Sequence, residues 1–200
     1  MIKYNKRQTI IDMNIICFDT EWLYNNHKKD ERFSFNCKKM LESLQDRYDI
    51  KTIYKEVLTC DNLTFYMNKF KGKSFRDKYP IVYFSTHGNN HSISMEGEEE
   101  EIDLDVLADL VPGFFEGRIV HFSSCCTMKD TQAVLNFKKK SGAILVSGYK
   151  KHVDAMDSLV FDMGYFNALQ LYSIQTVTKE TSRFQKHYAS LIDYLQFSIV

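Results

Sequence analysis

The sequence predicts an α/β sandwich of three layers, with helices covering both faces of a mainly parallel sheet. Three observations predict it. Short apolar runs alternate with longer segments of helical periodicity. The central runs, PIVYF, RIVHF and AILVS, are apolar on both sides, as strands buried on both faces must be. Polar residues with useful chemistry follow several of these runs directly, at the strand ends where α/β sheets place their sites.

The elements come in this order. MNIICFD (13–19) is β-rich. In residues 31–47, Phe33, Cys37, Met40, Leu41 and Leu44 share one helical face. DIKTIYKEV (49–57) alternates as a strand does. CDNLTFYMNKFKG (60–72) reads as a helix with Asp61 near its cap and Gly72 beyond its end. YPIVYFSTHG (79–88) is an apolar strand that ends in His87 and Gly88. The acidic run EGEEEEIDLD (96–105) reads as a solvated loop leading into the helix LDVLADLVPGFF, which stops near Pro112 and Gly113. GRIVHFSS (117–124) is a strand, TMKDTQAVLNFKKKSG (127–142) a helix with Gly142 past its end, and AILVSG (143–148) a buried strand. A long helix is expected from about Asp154 to Tyr172. A strand at YSIQTVT (172–178) and a last helix over 179–197 complete the chain.

Composition narrows the function. Lys plus Arg and Asp plus Glu both total 26, so the formal net charge is zero, which argues against a general nucleic-acid binder. No apolar run approaches the roughly twenty residues that span a bilayer. No secretory pattern is read near the N-terminus, so a cytoplasmic setting is expected. The five cysteines, Cys17, Cys37, Cys60, Cys125 and Cys126, are odd in number and irregular in spacing. They do not make a disulfide framework, and reduced thiols are expected. No Walker or Gly-rich nucleotide fingerprint is present.

The chemistry concentrates on His87 and Cys125. Neighbouring parallel strands lie about 4.8 Å apart. A histidine ending one and a cysteine ending the next therefore share one crevice. A thiolate is the attacking form, and an imidazole beside it generates it or protonates a leaving group. Gly88 permits close approach, and its N–H with that of Cys125 suits an oxyanion. Cys126 is expected to face the other way, as packing or a redox-sensitive neighbour. A zinc site built from His87, His91, Cys125 and Cys126 is disfavoured, because adjacent cysteines lack the spacing of structural zinc ligands. His91 is expected to be solvated and His121, mid-strand, to be a satisfied core residue.

An apolar strand ending in His-Gly, with a later one ending in small-small-Cys, resembles the caspase-like cysteine peptidases, most closely the CHAT domains. GRIVHFSSCCTM keeps the spacing of their nucleophile strand, and SGAILVSGYKKHVDAMDSLVFDMGYFNAL is similar to the strand, loop and aromatic-rich helix that come after it in that family. The resemblance is strongest over 79–170 and implies a single caspase-like domain over 1–200, a three-layer sandwich with a mainly parallel six-stranded sheet. It implies a cysteine endopeptidase working through a thioester, with His87 and Cys125 as the dyad, Gly88 and Cys125 as the oxyanion hole, and no metal or organic cofactor. The substrate would be a protein or peptide. CHAT-type peptidases are often held inactive until a signal arrives, which implies a separate regulatory protein and the setting of a bacterial effector.

The pattern also departs from the family. Cys126 and Met128 stand where Glu and Gly are usual, and Ser123 replaces the specificity-bearing Asp of metacaspases or Gln of caspases. Asp19 and Glu21, at the end of the first strand, fall where caspase-like folds line the pocket for the residue before the cut. Carboxylates there would pair with Arg or Lys, so cleavage after a basic residue is expected; helix capping or a surface ion pair is the alternative. Trp22 is expected in the core. GYKKHVD (148–154), with Lys150 and Lys151, falls where the family shapes its substrate groove; the two lysines suit solvent equally well. Two other functions remain open: a catalytically inactive protein-binding module on the same crevice, and an acyl transferase or amidase with a Cys-His pair.

Overall fold

The computed structural model describes residues 13–20, 36–95 and 99–200. Glu21, Trp22, Phe33 and the first acidic residues of the 96–105 run lie outside the described residues.

The first strand, β1 (Ile15–Asp19), is buried throughout. Helix α1 (Lys38–Tyr48) buries Met40, Leu41 and Leu44, the expected stripe. Strand β2 (Thr52–Glu56) follows. Helix α2 (Cys60–Phe70) is capped by Thr59, whose side chain accepts from the Asn62 N–H; Asp61 sits inside the first turn and is not the cap. A short helix, α3 (Lys73–Lys78), precedes β3 (Ile81–Ser85). A separate three-stranded antiparallel sheet is made by β4 (His87–Asn89), β5 (Ser92–Ser94) and β6 (Ile102–Asp103). Helix α4 (Leu104–Leu110), strand β7 (Ile119–Phe122), helix α5 (Thr131–Ser141), strand β8 (Leu145–Tyr149) and helix α6 (Ala155–Leu171) come next.

Two expectations near the C-terminus fail. The segment expected as a strand at 172–178 contains a short helix, α7 (Ile174–Val177), because Ser173 caps it by accepting from the Thr176 N–H. The expected last helix breaks into α8 (Arg183–His187) and α9 (Ala189–Leu195) and ends in a strand, β9 (Phe197–Ile199). Tyr188 interrupts it with φ −104° and ψ 14°. Its ring packs so closely on α6 that a Cβ added at Gly164 would lie 2.4 Å from it. Gln196 then turns left-handed, at φ 48°, and redirects the chain into β9.

The main sheet has six strands in the order β2-β1-β3-β7-β8-β9. The first four pairings are parallel, and β9 closes the far edge antiparallel to β8. Even-numbered positions of β1, β3 and β7, such as Phe18, Phe84 and Phe122, pack against α2, α4 and α5. Odd-numbered positions, such as Cys17, Tyr83 and Ile119, pack against α1 and α6. The architecture is therefore a three-layer α/β sandwich. Crossovers leave β1 on one face and enter β3 from the other, so strand order switches at the carboxyl ends of β1 and β3. Among the described residues no helix is long and apolar enough to cross a membrane.

One polar cluster is sealed inside the α6 face. Asp162 accepts from Tyr83 at 2.8 Å, pairs with His121 Nε2 at 2.7 Å and accepts from Tyr149. His121 Nδ1 also lies 3.0 Å from Ser147 Oγ, so both ring nitrogens have partners, as expected for a core histidine. Burial pushes the Tyr83 and Tyr149 phenols well above their ordinary range, which keeps them as donors to the carboxylate. Removing the shared acceptor strands three buried groups at once. Asp162→Ala should therefore lower the unfolding free energy by about 3–5 kcal/mol in urea titration. The exposed Asp193→Ala should stay within about 0.5 kcal/mol.

Candidate active site

The site is assembled by the register of β1, β3 and β7. Phe84 pairs with Phe122, and beyond that pair the Ser123 N–H donates to the Phe84 carbonyl at 2.8 Å. On the other side Asp19 pairs with Ser85, and the Thr20 N–H donates to the Ser85 carbonyl at 2.9 Å. The three strands thus finish level, at the switch in strand order.

Past the strand ends, side chains stitch the two key turns together. Thr86 Oγ1 and Ser124 Oγ are 3.0 Å apart. Thr127 Oγ1 donates to the Ser92 carbonyl at 2.9 Å. A Cβ on Gly88 would lie 2.5 Å from Thr127 Oγ1 and 2.8 Å from Ser124 Cβ. The His87–Gly88 strand therefore lies directly against the Ser124–Thr127 turn that carries Cys125. This corrects the reading of Gly88: the space its missing side chain leaves is filled by Ser124 and Thr127, not kept for a substrate.

Cys125 does not end a strand, since β7 stops at Phe122. It stands in a turn whose next residue, Cys126, has φ 59°. A left-handed conformation is costly for a non-glycine residue and is held by its surroundings. Here the Cys126 N–H donates to the Lys151 carbonyl at 3.0 Å, and the Met128 N–H to the Tyr149 carbonyl at 3.0 Å. The turn is thereby pinned to the end of β8. Cys126 is buried, and burial raises its thiol pKa, so it remains a protonated packing residue. Cys125 stays half-buried, with its Sγ 3.5 Å from the Val153 N–H nitrogen. His87 is half-buried as well. His91 is partly buried and lies 3.7 Å from Asp103.

The expected pocket residues lie beside this pair but are covered. Asp19, Ser85 and Ser123 are each 1% exposed. All three occupy odd positions, the α1/α6 side of the sheet, and form a polar row across the ends of β1, β3 and β7. Asp19 Oδ2 accepts from Tyr54 on β2 at 2.5 Å, and Ser85 and Cys37 also act on its carboxyl. Cys37, next to Cys17 at an Sγ–Sγ separation of 3.4 Å, closes the near side. Among the described residues no group of three His, Cys, Asp or Glu side chains could hold a metal ion.

Sequence reasoning does not single out Tyr54, Ser85 or Val153. Ser85 is within its reach, as the first residue of the polar run STHG. Tyr54 becomes visible only once β2 is known to lie beside β1.

Fold and site together define a three-layer α/β protein in which the turn carrying Cys125 packs against the strand that begins at His87, at the carboxyl edge of the main sheet. The chain belongs to a family of unknown function, DUF6642, whose model matches residues 12–200. No curated protein matches it.

Burial pushes the Asp19 carboxyl above its ordinary range, with Ser85 and Tyr54 pulling the other way. A carboxyl raised in the folded state binds more protons folded than unfolded. Stability then falls as pH rises from the unfolded value through the folded one. Asp19→Asn should remove that fall, so its stability relative to the parent should grow with pH above about 4 in urea titrations. A difference that is constant with pH would contradict the assignment.

Proposed function

We propose that the chain is a cysteine peptidase of the caspase-like kind. The observation that carries the reading is the seating of the His87 strand against the Cys125 turn, with both residues half-buried while Ser124 and Cys126 beside the thiol are buried. The expected six-stranded, mainly parallel sheet supports the resemblance at the level of fold.

The chemistry runs in two halves. Cys125 Sγ attacks the peptide carbonyl as its proton passes to His87. The carbonyl oxygen gains the displaced electron pair and is held by the N–H groups of Cys125 and Gly88. The C–N bond breaks, His87 gives its proton to the departing amine, and a thioester remains. Water then attacks the thioester with His87 as base, releasing the carboxylic acid and restoring the thiol. No metal or organic cofactor enters these steps. Asp19, a buried carboxyl at the end of β1, supports cleavage after a basic residue. By the resemblance, the substrate is a protein or peptide, and a separate protein controls access to the site.

A fluorogenic peptide panel tests the proposal. Hydrolysis should be strongest with a basic residue before the cut. Cys125→Ala should abolish it, and His87→Ala should lower kcat by about 10²–10⁴-fold. Cys126→Ala should leave it within a few-fold. A folded chain that cleaves nothing in the panel would point to the non-catalytic binding module, and activity on thioesters or small amides alone to acyl transfer.

A further inference from the structure

We propose that Cys17 and Cys37 are a dithiol–disulfide couple, oxidised by a low-molecular-weight disulfide into a covalent brace between β1 and α1. The couple stands apart from the peptidase reading, whose chemistry uses neither thiol.

Strand and helix bring the pair together. Cys17 is the middle residue of β1, on the side of the sheet that α1 and α6 cover. Cys37 is the residue before α1, and its carbonyl accepts the Leu41 N–H at the start of the helix. Both cysteines are free thiols and both are buried. Their sulfurs lie 3.4 Å apart across 20 positions of sequence. A disulfide bond is about 2.0 Å long, so the sulfurs must close by about 1.4 Å. That movement draws the start of α1 towards a strand it already packs against.

The oxidation proceeds by two exchanges. Burial keeps both thiols protonated, and a protonated thiol does not attack. The first exchange therefore takes place with Cys37 turned outward, during folding or local opening. Cys37 gives its proton to water and attacks one sulfur of the small disulfide. One small thiolate leaves, and a mixed disulfide remains on Cys37. The native place of Cys37 is 1% exposed and does not hold that adduct. As Cys37 returns, Cys17 loses its proton and attacks the Cys37 sulfur. The bond to the second small thiol breaks, and the Cys17–Cys37 bond forms. In total the two cysteines give up two electrons and two protons, and the small disulfide takes them as two thiols.

The brace falls at the edge that carries the candidate site. Cys17 precedes Asp19 by two residues on the same face of β1. The backbone and the thiol of Cys37 both act on the Asp19 carboxyl. Oxidation withdraws the thiol from that carboxyl and fixes the strand to the helix.

The test refolds the reduced full chain from urea in mixtures of oxidised and reduced glutathione, with reduced glutathione alone as the reference. Remaining thiols are blocked, the chain is digested, and mass spectrometry locates each cysteine. Most of the chain refolded with excess oxidised glutathione should carry a Cys17–Cys37 cross-link. Closing the loop constrains the unfolded chain, so the oxidised form should unfold at a urea concentration about 1 M higher. Dithiothreitol should reverse both changes. Cys17→Ser and Cys37→Ser should each lose the cross-link and the shift. The mapping is made on the unsubstituted chain, so it decides the matter even where a variant fails to fold. Glutathione left on Cys37, a Cys125–Cys126 bond in place of the cross-link, Cys17 and Cys37 still reduced in excess oxidised glutathione, or an unfolding midpoint that does not rise would each overturn the proposal.

Discussion

The site depends on one close approach, that of the backbone at Gly88 to the turn after β7. The parallel pairing of β3 with β7 brings the two strand ends level, but pairing alone does not bring the turns beyond them together. That requires the absence of a side chain at position 88, because any Cβ would enter Ser124 and Thr127. The Thr86–Ser124 and Thr127–Ser92 hydrogen bonds then tie the hairpin β4–β5 to the cysteine turn. This contact seats the strand that begins at His87 against the turn that carries Cys125.

The remaining layers serve to hold that edge. The left-handed Cys126 separates a half-buried Cys125 from a buried neighbour, and the end of β8 keeps the turn in place through the Lys151 and Tyr149 carbonyls. Beneath, the Asp162 cluster fixes β3, β7, β8 and α6 to one another through directional bonds within a largely apolar layer. Buried polar groups of this kind constrain geometry at least as much as they stabilise. The polar row of Asp19, Ser85 and Ser123 rests on that floor, across the ends of β1, β3 and β7.

Much of the sheet is legible in the sequence because apolar runs such as PIVYF and RIVHF admit few other structures, and their alternation with helical stripes dictates parallel pairing. His87 and Cys125 are legible because they come directly after those runs. The hairpin β4–β5–β6 is not: its strands are two or three residues long, and polar residues dominate them. The C-terminal strand β9 is hidden because its Phe and Ile continue the helical pattern of α9, and only the left-handed Gln196 breaks it. Gly88 reads as room for substrate because a sequence cannot say which neighbour fills a missing side chain. The pairing of Tyr54 with Asp19 needs the β1–β2 register, which no local pattern encodes.

The most direct test of a working His87–Cys125 pair is covalent capture by a peptidyl acyloxymethyl ketone carrying lysine next to the ketone, with the modified residue located by mass spectrometry. The account predicts a single adduct on Cys125, formed about 10²–10⁴-fold more slowly in His87→Ala. Labelling spread over Cys60 and Cys125 alike, at rates indifferent to His87, would contradict it.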